Sequence, residues 1–157
     1  MNSVNFSVEL NLIVMCYKYV KLVMNLNNAI DALVNKEEDT KAFSKSVKEE
    51  AYQCFDAAGI AYASADEVRT RRKGVFESGD IPGVERVGGS SRQSLLRGTG
   101  DIEADFLNGE VVLLGRLHGI ATPANAALQQ LSIEAARQKL PPGSYSLSDV
   151  HARMKVS

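Results

Sequence analysis

There is no tryptophan in this chain of 157 residues, only two cysteines and four prolines, and aromatic residues make up just 6%. The scarcity of cysteine excludes a disulfide-stapled secreted scaffold, because Cys16 and Cys54 have neither CxxC spacing nor the density such a framework needs. A reducing, cytoplasmic setting is the expectation. An excess of one charge sign is missing too: 18 basic and 19 acidic side chains leave a formal net charge of −1. Without a global field, neither nucleic acid nor an anionic membrane is an expected partner. The most apolar stretch, Leu10 to Leu26, is interrupted by Asn11, Lys18, Lys21 and Asn25, which are costly in hydrocarbon, so no membrane span is expected. It lacks a basic segment before it and a small-residue cleavage site after it, so it does not read as a signal peptide. His118 and His151 stand far apart without further ligands, which argues against a metal site.

Two further absences bear on function. No alternating apolar run of useful length occurs, so strands are not expected. Nor is there a G-x-G-x-x-G fingerprint between a strand and a helix, where backbone amides hold a dinucleotide's pyrophosphate. The nearest string, Gly98-Thr99-Gly100, has Glu103 where the third glycine belongs and follows a helical pattern. It reads as a corner between helices, and no Rossmann domain is expected.

What is present is 45% hydrophobic content, enough for one helical domain over residues 1–157. Leu10 to Val34 is apolar on most sides, the pattern of one long, nearly encircled helix. Its polar residues Lys18, Lys21, Asn25 and Asn28 recur at steps of three, four and three, which places them on one narrow stripe. A second helix is predicted from Asp39 to Ala58, with Phe43, Val47, Ala51, Cys54, Phe55 and Ala58 inward and Gly59 as its stop. Ser64 is placed to cap a short third helix that ends in the basic run Arg69, Arg71, Arg72, Lys73. Seven of the 12 glycines lie between Gly74 and Gly100, marking a long connection in which Ser90 and Ser91 can cap a short helix. The next helix is expected from Asp101 to His118, with Phe106, Val111, Leu113, Leu114 and Leu117 inward. Thr122-Pro123 then opens one that runs to about Lys139, with Ala127, Leu128, Leu131 and Ala135 buried. Ser148 is expected to cap a last short helix through Val150 and Met154.

Four segments carry a resemblance: Tyr19-Val20-Lys21-Leu22-Val23-Met24-Asn25, the pair Ser90-Ser91, Glu103-Ala104-Asp105-Phe106-Leu107-Asn108-Gly109, and Gly119-Ile120-Ala121-Thr122-Pro123-Ala124-Asn125. In this order and spacing, over about residues 17–138, the chain resembles the all-α C-terminal domain of the ketopantoate reductase (2-dehydropantoate 2-reductase) family. That domain is of the kind shared with 6-phosphogluconate-dehydrogenase-like reductases. Ala29 and Gly88 stand where the family usually has asparagine.

The resemblance implies an NADPH-dependent reduction of a 2-oxo acid, a step of pantothenate biosynthesis, with the cofactor held mainly by a Rossmann domain and the substrate against this helical one. It assigns Lys21 as general acid, since hydride arriving at a carbonyl carbon leaves an alkoxide that must gain a proton. Asn25, Asn28 and Ser91 are then substrate-binding, and Glu103 helps to organise the cofactor. The chain alone is expected to bind no NADPH, to be inactive until a Rossmann domain, on the same or a separate chain, joins it, and to form a homodimer. The alternative reading is a non-catalytic oligomerisation module derived from the family.

Overall fold

The structure, a computed structural model, describes residues 14–72, 88–98 and 102–155. Among these the chain is all-α, with one isolated parallel bridge between Val34 and Tyr145 as its only extended pairing. The elements are α1 (Val14–Asn25), α2 (Asn27–Leu33), α3 (Lys41–Ala57), α4 (Ala65–Arg72), α5 (Ser90–Arg97), a 3-10 turn (Glu103–Asp105), α6 (Asn108–His118), α7 (Pro123–Gln138) and α8 (Leu147–Met154). No helix of the described residues is long and apolar enough to cross a membrane.

Helix α7 is the centre of the bundle and packs on α2, α3, α6, α8 and the 3-10 turn. Its stripe Ala127, Leu128, Leu131 and Ala135 is buried, as its helical spacing predicts. Helix α3 turns Phe43, Val47, Ala51, Cys54 and Phe55 inward, and Gly59 stops it in the left-handed region at φ +65°. Tyr19 of α1 meets Phe55 edge to face at 5.1 Å, and Arg71 of α4 lies 4.7 Å over the Tyr17 ring. Ser64 and Glu67 cap α4 reciprocally: Glu67 N donates to Ser64 Oγ and Ser64 N to the Glu67 carboxylate.

Several expectations are corrected. The single helix Leu10–Val34 is two helices, broken at Leu26, although Leu26 keeps helical dihedrals and its N–H still reaches the Leu22 carbonyl at 3.1 Å. Residues 10–13 of that expectation, and most of the Gly74–Gly100 connection, lie outside the described residues. Encirclement fails for α1, which buries only Val20 and Val23 while Val14, Met15 and Met24 stay exposed. The helix expected from Asp101 is a 3-10 turn followed by α6. Phe106, Leu113 and Leu117 are exposed, because α6 turns Val111, Val112, Leu114 and Gly115 inward instead.

Capping also differs. Gly89 takes the N-cap position of α5, so Ser90 and Ser91 are its first helical residues rather than caps. Thr122 makes no side-chain cap bond to α7. The last helix is capped by Ser146, in a reciprocal pair with Asp149, and not by Ser148. Its N-terminus is held further by Glu38, which accepts from Leu147 N at 2.9 Å.

Candidate functional site

Lys21 and Asn25 lie one turn apart on α1, so they leave the helix on the same side. Lys21 is exposed and Asn25 half-buried, so the lysine is not wrapped in apolar surface as its helix's composition suggests. Asn28, half-buried, sits in the first turn of α2. Helix α2 is clamped to the start of α5: Gly89 N donates to Asp31 Oδ2 at 2.9 Å, and Arg92 Nη1 donates to the Asp31 carbonyl at 2.8 Å. The clamp brings Asn28 beside the residues that lead into Ser91, its Oδ1 lying 3.7 Å from where a Cβ on Gly89 would sit.

Asn28 and the start of α5 are thus brought together, and α1 continues that polar line to Asn25 and Lys21. Ser91 is buried, at 3% exposure, while Ser90 beside it is exposed. Glu103 lies in the 3-10 turn, which packs on α6 and α7. Its side chain is exposed, and its carbonyl accepts from Phe106 N and Leu107 N, both at 3.0 Å.

Both departures from the family pattern have a local physical account. Gly88 has φ +102°, and a Cβ there would come within 2.5 Å of Arg92 Cδ and 3.0 Å of Asp31 Oδ2. An asparagine is incompatible with the Asp31–Arg92 clamp as it stands. Ala29 is buried at 2% exposure in the core, so an amide at that position would need a partner there.

Sequence reasoning missed a buried polar network centred on Glu50 and Asn125. Glu50, on the inward face of α3, caps α7 from across the core: its Oε1 accepts from Ala124 N at 2.8 Å and its Oε2 from Asn125 N at 3.0 Å. Asn125 Nδ2 donates to Glu50 Oε2 at 2.7 Å and to the Val47 carbonyl at 3.0 Å, and Asn125 Oδ1 accepts from Asn108 Nδ2 at 3.0 Å. The carboxylate sits where the α7 dipole favours negative charge. Burial is the largest influence on it and pushes its pKa up, against the lowering effect of the hydrogen bonds from Ala124 and Asn125. Burial also raises the Cys54 thiol, helped by the Glu50 charge. The available signal was the step Val47, Glu50, Ala51, Cys54, which puts the carboxylate on the apolar face. Asn108 and Asn125, the last asparagines of two motif segments, therefore tie helix starts together inside the core.

As for bound groups, the described residues contain no cluster of three or more His, Cys, Asp or Glu that could hold a metal ion. Glu103 offers an exposed carboxylate, an acceptor for hydroxyl or amide donors rather than for a phosphate.

Residues 9–136 match the family profile described as ketopantoate reductase PanE/ApbA C terminal, which is most of the chain. Among solved structures, the chain is similar to a PanE/ApbA family ketopantoate reductase from Ralstonia eutropha JMP134, at 26% identity and a TM-score of 0.56. That likeness covers 77% of this chain and 41% of the other, so the chain spans less than half the length of that relative. No curated protein sequence matches the chain.

Proposed function

Because this chain belongs to the ketopantoate reductase PanE/ApbA C-terminal family, we propose that it is the substrate-binding half of a reductase that acts on a 2-oxo acid with NADPH. It works with a nucleotide-binding domain and as a homodimer. The observation that carries this reading is the polar line Lys21, Asn25, Asn28, which α2 and the Asp31 clamp continue to the start of α5. A 2-oxo acid needs a proton donor at its ketone, hydrogen bonds to its oxygens and a site for its carboxylate. The Lys21 ammonium donates the proton to the carbonyl oxygen as negative charge grows there. The Asn25 and Asn28 amides hydrogen-bond the substrate, and Ser91, in the first turn of α5, holds the carboxylate end with help from the helix dipole. NADPH supplies the hydride when bound. Glu103 accepts from hydroxyl or amide groups of the bound pair, and the rest of the cofactor is held by the partner domain.

Two observations favour the other reading, a non-catalytic module that keeps the fold. Ala29 fills a core position where the family has asparagine, and the Ser91 hydroxyl is buried, reachable only if the ligand enters beside α5.

Reconstitution decides between them. The chain is mixed with a Rossmann domain of the same family, and loss of NADPH absorbance is followed with ketopantoate and smaller 2-oxo acids. Turnover that the chain alone lacks, cut about 100-fold or more by Lys21→Ala, is the expected result. Lys21 is exposed, so this substitution tests chemistry rather than folding. A complex that forms and shows no turnover would leave the module reading standing.

A further inference from the structure

We propose that the cleft between the 3-10 turn and the C-terminal half of α7 binds a small aliphatic α-amino acid, at a site separate from the polar line of α1 and α2. The cleft has a volume of about 180 Å³, below the roughly 300–1,000 Å³ of pockets that take drug-sized ligands, so its occupant is small. Ile102, Ile133 and Ala136 form apolar walls, Asp105 and Arg137 stand at its rim, and Ser132 lies at its floor.

Three features specify the ligand. Ser132 is 1% exposed and its hydroxyl has no hydrogen-bond partner among the described residues, an arrangement that folding alone disfavours and a ligand atom would repair. Asp105 and Arg137 line the same cleft yet form no ion pair with each other, and among the described residues Asp105 is engaged through one oxygen, Oδ1, by Gln129 Nε2 at 2.9 Å. A simple anion would suit Arg137 and be repelled by Asp105, and a simple cation would meet the reverse. A molecule that carries both charges on groups attached to one carbon satisfies both: its carboxylate takes the two-pronged Arg137 guanidinium and its ammonium the other Asp105 oxygen. The apolar walls then favour a short branched hydrocarbon over a polar side chain.

The rim charges are exposed, so affinity is expected in the millimolar range. L-Valine is titrated into the isotope-labelled 157-residue chain and backbone amide shifts are followed by NMR. Saturable shifts confined to residues 102–105 and 132–137 are expected. Arg137→Met and Asp105→Asn, both at exposed positions, should each weaken binding about fivefold or more. The matched hydroxy acid, 2-hydroxy-3-methylbutanoate, and the matched amine, isobutylamine, should each bind more weakly than valine. No saturable shift with valine, equal binding of the hydroxy acid or the amine, or unchanged affinity in both variants would overturn the proposal.

Discussion

Glu50 shows how much one side chain can hold in this fold. Five hydrogen bonds, two of them from backbone N–H groups in the first turn of α7, involve it or the Asn125 amide that it orients. Glu50→Ala leaves the buried N–H groups of Ala124 and Asn125 without their acceptor, each worth about 1–3 kcal/mol when orphaned. A loss of about 2–4 kcal/mol is expected, read as a lower urea midpoint at unchanged slope. The pH dependence has a definite sign. Because folding raises the Glu50 pKa, the folded state holds this proton more tightly than the unfolded one. The stabilisation is therefore complete below the ordinary carboxyl range, near pH 4, and is lost as pH rises through the raised value. Glu50→Gln cannot ionise. Urea titrations from about pH 4 to pH 8 should show the parent losing stability relative to Glu50→Gln as pH rises, and a gap that widens in the parent's favour would contradict the burial argument.

Among the helices, α6 and α7 meet at a corner that depends on Gly115. A Cβ there would lie 2.7 Å from the Ile120 carbonyl oxygen and 2.7 Å from Thr122 Cγ2, and the first of these is backbone that cannot rotate away. Gly115→Ala gains helix propensity of about 1 kcal/mol, yet the crowding costs about 1–3 kcal/mol, so the net effect expected is a modest loss of melting temperature. A stabilised variant would show that the corner has slack. The same helix explains what the sequence could and could not reveal. Helices α3 and α7 were legible because each has one apolar stripe, and the stripe is what packs. Helix α6 is apolar on two faces: of the expected inward residues Val111 and Leu114 are buried, while the larger surface, Leu113 and Leu117, lies on the exposed face. Gly115 adds nothing to a hydrophobic pattern, but its small size admits the loop that fixes the buried face. Local spacing identified the cap at Ser64 but not the equally local one at Ser146, two residues before the expected Ser148. Capping was hidden where the acceptor comes from 74 residues away, as Glu50 does for Ala124. In the candidate site, the stripe of α1 and α2 follows from helical spacing, while the Asp31 clamp that brings α5 to it joins residues 58 apart and has no signature in spacing.

For the whole molecule the unspent quantity is exposed apolar surface. Val14, Met15 and Met24 project from α1 and Leu113 and Leu117 from α6, with Phe106 just before it 79% exposed. Single exposed apolar residues are ordinary, but several on one helix reduce solubility unless something covers them. The same polar line, Lys21 and Asn25, runs along α1, so a cover on that helix has to leave those two residues accessible if the reductase reading holds. A homodimer is expected, with a light-scattering mass near twice 17.0 kDa at micromolar concentration. Charge substitutions locate the interface. If α1 is the covered face, Met15→Lys with Met24→Lys yields a monomer while Leu113→Lys with Leu117→Lys leaves the dimer intact, and the opposite pattern assigns α6. All four positions are exposed, so neither pair disturbs the core, and circular dichroism should stay helical in both. A parent chain that runs at 17.0 kDa across the whole concentration range would remove self-association from the reading and leave these faces for the nucleotide-binding domain.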